Sequence, residues 1–309
     1  MKPWSLIKKH FRNINLIDLY FEKYYSNQQL LNIKSIFVNL SDSGICDNVY
    51  GENIVVISLT TFGLRAYNVY QTITSLMCQT LKANKIILWL SNKEFDDSSI
   101  PDTLKKLQKY GLEIKYCEDI KSYKKIIPTL GLNLNADIIT VDDDIIYPID
   151  FIEKMILAHK ANPNKVCFTR GCRIDFDGVN ILSYKNWPKA TNKCSMLNVP
   201  TGIGGILYPF GCFYKDVGNS SIFMKLCPNA DDLWLRIMCF INHVDTFYIN
   251  SYEDFNHYFI EIKGSQITSL NAKNNSNSGQ MTNDSQFRSL VDYYCLKNTL
   301  FKYNQITSL

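Results

Sequence analysis

The sequence predicts an α/β protein built on a parallel-rich mixed sheet flanked by helices, and three observations carry that expectation. From Asn53 to about Ala161, short β-branched runs alternate with stretches of helical spacing. One apolar run, Ala136 to Val141, ends abruptly in three carboxylates, Asp142, Asp143 and Asp144. The 309 residues are 46% apolar and 20% charged, a composition that fills an ordinary globular core.

Taken in order, residues 1–50 read as a preamble, with a helix over Asn13–Leu31, a strand over Ile33–Asn39, and turns at Ser41–Gly44 and Asn48–Gly51. Ile54–Leu59 is the first strand of the alternation, followed by Thr60-Thr61-Phe62-Gly63 and a helical pattern from Arg65 to Gln79. Lys85–Leu90 is the second strand. Pro101 opens a helix that runs to Tyr110, with Gly111 just past its end. Leu112–Cys117 is the third strand, Ser122–Leu130 a short helix, Ile138–Val141 the fourth strand and Ile149–Ala161 a further helix. Strands and helices at this spacing argue for parallel pairing through right-handed crossovers. Beyond Val166 the elements shorten, with strands expected at Val166–Arg170, Arg173–Phe176 and Val199–Tyr208. The helix Asp231–Ile241 and a final strand Val244–Ile249 follow. Gly264–Ser285, rich in Asn and Ser, reads as a loop or lid. The chain divides accordingly into a helical appendage (1–50), a main domain (51–262) and a polar loop with a terminal helix (263–309).

A formal charge of +4 is too small to argue for nucleic acid. Ten scattered cysteines form no C-x-x-C pair, which speaks against zinc. With no leader segment recognised before them, they read as reduced thiols in a cytoplasmic protein. The segment Met1–Arg12 mixes Lys and Arg with Trp4, Leu6, Ile7 and Phe11; it reads as an amphipathic surface helix or as a contact with the inner face of a membrane. Met196–Tyr214, the longest uncharged stretch, holds several glycines and two prolines and makes a poor spanning helix. No G-x-G-x-x-G follows the first strand, which counts against a dinucleotide dehydrogenase.

A strand that ends in carboxylates places negative charge at the C-terminal edge of a sheet, where open α/β folds bind ligands. Those oxygens suit a hard divalent cation, whose usual companion is a nucleotide diphosphate. The same residues also read as an acidic turn, with Asp144 or Asp150 near a helix N-terminus. Lys125, ahead of Ile126-Ile127-Pro128, offers a point charge to a diphosphate, or is solvated beside Lys121 and Lys124. Thr60, Thr61 and Arg65 follow the first strand and either line a nucleotide pocket or cap a helix. Gly202-Ile203-Gly204-Gly205 allows close backbone approach, to a sugar or simply within a turn. Trp234 reads as core, and Trp187 as a loop anchor or a stacking platform for a sugar.

Six blocks together resemble bacterial GT-A glycosyltransferases, loosely placed with family 2. They are Ile57–Phe62 with Arg65, Lys85–Ser91, Asp119–Pro128, Asp142–Asp144 with Tyr147-Pro148, Pro200–Pro209 and Ala230–Trp234, within residues 53–250. The resemblance implies a GT-A nucleotide-diphospho-sugar transferase fold with the triple aspartate as its D-x-D. Asp142 would then lie near the ribose or metal, Asp144 would coordinate Mg²⁺ or Mn²⁺, and Asp143 would face the other way and bond locally. His257 is a further metal candidate, since some enzymes of this fold complete the site with a late histidine. The pair Asp231 and Asp232 matches the motif that supplies the general base of inverting enzymes, with Asp232 the better base and Asp231 the N-cap. The implied activity moves a hexose from a nucleotide sugar, UDP-linked above all, to a glycan or lipid-linked glycan acceptor such as lipopolysaccharide or capsule. A sugar nucleotidyltransferase and a non-catalytic carbohydrate-binding protein on the same fold are the rivals. The first would normally carry a Gly-rich basic loop after the first strand, for which Thr60–Arg65 is a poor candidate.

Overall fold

The computed structural model describes residues 24–190, 194–252, 255–262 and 281–307. Its centre is a seven-stranded sheet in the order β12-β6-β11-β4-β1-β2-β3. Four of its strands fall where the alternation predicts: β1 (Ile54–Thr60), β2 (Lys85–Ser91), β3 (Leu112–Cys117) and β4 (Ala136–Thr140). They pair in parallel, with Ile57 opposite Ile86 on one side and Ile139 on the other. The sheet is completed by β6 (Val166–Phe168), β11 (Ile206–Tyr208) and β12 (Thr246–Tyr248). Strand β11 runs antiparallel between β4 and β6, while β12 is parallel to β6, so the sheet is mixed and parallel-rich as expected.

Because side chains alternate across a strand, the sheet feeds two cores. On one face Val55, Ile57, Leu59 and Ile139 pack under α2 (Val69–Met77), α3 (Asp102–Gln108) and α5 (Phe151–Ala161). On the other, Ile138, Phe168 and Ile206 pack under α7 (Asp231–Ile241), whose Trp234 is fully buried. Two C-terminal helices, Asn283–Tyr293 and Lys297–Thr307, and the link between them add Phe287, Leu290, Val291, Leu296 and Leu300 to this second core.

Five expectations change. The predicted strand Val199–Tyr208 falls in two strands of different sheets, Asn198–Pro200 and β11, separated by the 3₁₀ turn Gly202–Gly204. Residues 33–38 lie inside a helix, α1, spanning 24–38, and residue 39 in the turn that ends it, not in a strand. The predicted strand Arg173–Phe176 is broken, because β7 (Gly171–Arg173) pairs with β10 (Asn198–Pro200) while β8 (Phe176–Asp177) pairs with β9 (Asn180–Ile181). The strand near Val244 is not the last: β13 (Ile260–Glu261) pairs with β5 (Ile145–Ile146), just after the aspartates. Part of the expected loop, from Asn283 to Ser285, is helical, its first turn closed by the Thr282 hydroxyl accepting from the Ser285 N–H at 3.2 Å. Residues 264–280 of the expected lid, and the amphipathic segment Met1–Arg12, lie outside the described residues. No helix of the described residues is long and apolar enough to cross a membrane. All ten cysteines are free thiols.

Candidate active site

The C-terminal ends of β1 and β4 lie side by side at the centre of the sheet, beside the strand-order reversal where α/β sheets open a crevice. Thr61, one residue past β1, donates its hydroxyl to Asp143 at 2.6 Å. Arg65, on the 3₁₀ turn Gly63–Tyr67, folds back so that its guanidinium sits 2.7 Å from Asp143 and also pairs with Asp144. The Thr72 hydroxyl from α2 donates to the Asp143 carbonyl at 3.0 Å. Asp143 is therefore the buried anchor of the loop and bonds across to β1 and α2 rather than locally. Burial pushes its carboxyl up to about 7, with the Arg65 guanidinium pulling the other way. Thr60 faces elsewhere, its hydroxyl donating to the Trp89 carbonyl on β2 at 2.8 Å. Neither threonine caps a helix, since Phe62 is the N-cap of the turn.

A second group forms around Lys125, at the end of the 3₁₀ turn Lys121–Lys125. Its ammonium is buried and lies 2.8 Å from Asp231, 3.5 Å from Asp142 and 3.6 Å from Asp232. Burial opposes its charge, but Asp231, Asp232 and Asp142 together hold its pKa well above the usual lysine value. The solvated reading fails for its neighbour too, because Lys124 is buried and paired with Asp119. Ala230 is the N-cap of α7, which makes Asp231 its first residue rather than its cap, and Asp231 pairs with Lys125. Asp232, the next residue, accepts the Gly202 N–H on Oδ2 at 2.9 Å. Its Oδ1 is buried beside the Lys125 ammonium, so the quarter of the side chain that stays exposed (27%) lies on its other atoms. Burial pushes Asp232 up to about 7 against the opposing pull of Lys125.

The glycine turn closes the group. A Cβ on Gly202 would stand 2.7 Å from the Lys125 Nζ and 3.0 Å from the Asp142 Oδ1, so only glycine leaves this space to the charges. Tyr147, to which no role was assigned from the sequence, ties the halves together. Its hydroxyl accepts from the Asp142 N–H at 3.0 Å and lies 3.5 Å from the Ile203 carbonyl. An aromatic hydroxyl soon after the aspartates, in an otherwise aliphatic run, was the available signal.

Other candidates fall outside this group. His257 is exposed and stacks on Tyr25, ring centroids 4.3 Å apart. Among the described residues, no cluster of three or more His, Cys, Asp or Glu side chains is placed to hold a metal. Asp150 is the N-cap residue of α5 but makes no side-chain cap bond there, pairing instead with Lys154 and Tyr252. Trp187 is a buried loop anchor, its indole N–H donating to the Leu182 carbonyl at 2.9 Å.

The donor chemistry at the edge fits a hard cation. Asp142 and Asp144 offer only oxygens; Asp142 is about one-third exposed (33%), whereas Asp144 is held by Arg65 and would exchange that partner for the metal. Mg²⁺ is commonly held by one or two carboxylates, with the remaining oxygens supplied by substrate phosphates and water.

No family model and no curated protein matches the sequence. Among solved structures, the chain is similar to a mannosyltransferase from Pyrobaculum calidifontis in complex with GDP-Man and Mn²⁺. The identity is 11% over 51% of this chain and 46% of that one, with a TM-score of 0.33. The chain thus spans a little under half the length of that enzyme. It is also similar to the inositol-1-phosphate CTP transferase from T. maritima (9% identity, 64% of this chain, 86% of that one, TM-score 0.39). A third is a CMP:2-keto-3-deoxy-manno-octonic acid synthetase complexed with CTP (9%, 64% and 89%, TM-score 0.36). Overlap this loose bears on neither substrate nor reaction, and the architecture rests on the strand order itself.

Proposed function

We propose that the chain is a GT-A-type glycosyltransferase that moves a hexose from a nucleotide sugar, UDP-linked in the first instance, to a hydroxyl of a surface glycan, with inversion. The observation that carries this reading is Asp232. It is a carboxylate at the sheet edge with one oxygen fixed by the Gly202 N–H, the other buried 3.6 Å from the Lys125 ammonium, a side chain still about a quarter exposed (27%), and a pKa raised to about 7. A general base works best when its pKa is close to the operating pH. In this role the Asp232 carboxylate takes the proton of the acceptor hydroxyl as that oxygen bonds to the anomeric carbon, and the nucleoside diphosphate departs with the electron pair of the broken bond. Lys125 holds Asp231 and Asp142 in place and sets positive charge beside the departing diphosphate. Mg²⁺ or Mn²⁺, held by Asp142 and Asp144, would supply further neutralisation of that charge. His257 has no part in this assignment.

The nucleotidyltransferase alternative asks the segment after β1 to cradle a triphosphate. Here that segment turns inward, with the Arg65 guanidinium held by Asp143 and Asp144. The deciding experiment incubates the purified chain with UDP-, GDP- and CMP-sugars, simple sugar acceptors and Mn²⁺. Nucleotide released from its sugar, and stopped by chelator, is the expected result. Pyrophosphate released from a nucleoside triphosphate and a sugar 1-phosphate, with no turnover of nucleotide sugars, would establish the nucleotidyltransferase instead. Sugar binding without turnover of either kind would mean a carbohydrate-binding protein.

A further inference from the structure

We propose that Arg170 forms an acceptor subsite for an anionic sugar, one bearing a carboxylate or a phosphate, at the end of the Gly202–Gly204 turn opposite Lys125. This rests on the transferase reading above. Strand β6 is parallel to β4, since β11 is antiparallel to both, so Arg170, two residues past β6, emerges at the same edge as the aspartates. Its backbone is fixed to the glycine turn from two sides. The Thr169 hydroxyl donates to the Gly204 carbonyl at 2.7 Å, and the Arg170 carbonyl accepts the Thr201 N–H at 2.9 Å.

The turn has two distinct ends. A Cβ at Gly202 would meet Lys125, Asp142 and Asp232, whereas a Cβ at Gly204 would lie 3.1 Å from the Arg170 Cβ and 3.0 Å from the Phe255 ring. Two residues of 3₁₀ helix advance about 4 Å, which sets Arg170 close to the proposed base but away from the diphosphate side.

The Arg170 side chain is exposed, and among the described residues it has no carboxylate partner. Arg65, by contrast, is paired with two aspartates, and Arg236 donates to the Met196 and Val244 carbonyls. The Arg170 guanidinium lies over Phe255, 5.2 Å from the ring centre, and Phe255 stacks at 4.3 Å on buried Phe259. A guanidinium held on an aromatic platform, with its fork of donors open to solvent, is arranged for bidentate capture of a carboxylate or phosphate.

The test uses the full chain with methyl glucoside, glucuronic acid and glucose 6-phosphate as acceptor probes, with and without Arg170→Gln and Arg170→Lys. Calorimetry without donor should show at least one anionic sugar binding about tenfold more tightly than methyl glucoside. Arg170→Gln should remove that preference and Arg170→Lys should restore part of it. In turnover, Arg170→Gln should raise the KM of the anionic acceptor about tenfold and leave the donor KM and kcat near wild type. The relative affinities of glucuronate and glucose 6-phosphate identify which anion the subsite takes. Equal binding of anionic sugars by wild type and Arg170→Gln would overturn the proposal. So would a rise in donor KM, which would place Arg170 on the diphosphate. If wild type turns over no nucleotide sugar yet shows the Arg170-dependent binding, the transferase reading fails and the subsite stands.

Discussion

At position 202 the side chain is missing because an ammonium and two carboxylates occupy the space it would need. The nearest of these atoms is the tip of a lysine, which can move, so Gly202→Ala should be mild for the fold and severe for the site. We expect a melting temperature within a few degrees of wild type and turnover reduced at least about tenfold, checked by thermal denaturation and initial rates. The neighbouring carboxylate makes a pH-dependent prediction. Asp232 is held at about 7 in the fold against an ordinary 3.8, so the folded chain keeps a proton there that the unfolded chain has already released. That contribution to stability is complete below about pH 4 and is lost as the pH rises through about 7. Asp232→Asn should therefore flatten the fall in melting temperature between pH 4 and 8, leaving the part that comes from Asp143. The same substitution should cost about 10²–10⁴ in kcat with little change in donor affinity. Asp231→Asn behaves differently from a cap replacement, because it removes the closest counter-charge of Lys125.

Among the elements, α7 was the most legible. Its bounds, Asp231–Ile241, follow from a pair of acids at the start and an amphipathic run behind them. Strands β1, β2 and β4 were equally clear, being apolar runs buried on both faces, while the edge strand β3 is only half-buried. Residues 33–39 misled because Ile36, Phe37 and Val38 are good strand formers. Their buried or half-buried positions are nevertheless 33, 36 and 37, a helical spacing imposed by packing against β5, β13 and the first core. Within the site, residue types were readable but partners were not: nothing local to Lys125 shows that it will meet Asp142 and Asp231, which come from distant elements. The join between β1 and the aspartate loop can be tested directly. Thr61→Val keeps the shape of the side chain but removes the donor to Asp143. It should destabilise the chain by about 1–3 kcal/mol in urea unfolding, the cost of a buried acceptor losing a partner.

For the whole molecule, the two terminal helices belong to the structure that holds the base. Gln286 is fully buried and accepts the Asn229 N–H at 2.8 Å, just ahead of α7, while Asp284 accepts the Tyr184 N–H at 2.7 Å. Phe287, Leu290, Val291, Leu296 and Leu300 enter the same core as Trp234. Each side chain of that kind contributes about 1.5–3 kcal/mol when buried, and together they rival the roughly 5–15 kcal/mol that holds a typical domain. A chain cut after Thr282 should lose cooperative unfolding or precipitate, as followed by circular dichroism and sedimentation, instead of yielding a stable core without a lid.

The antiparallel position of β11 has a consequence for how the chain is made. Strand β4 needs β11 on its open side, and that partner arrives about 70 residues later, which at the roughly 5–20 residues per second of synthesis is about 3–14 s. Throughout that interval the nascent protein presents an apolar, unpaired strand edge bearing Ile138 and Ile139, the kind of surface that recruits chaperones or a neighbouring nascent chain. Slowing translation between Thr140 and Ile206 would lengthen that exposure and lower the soluble yield without altering a single residue of the finished protein.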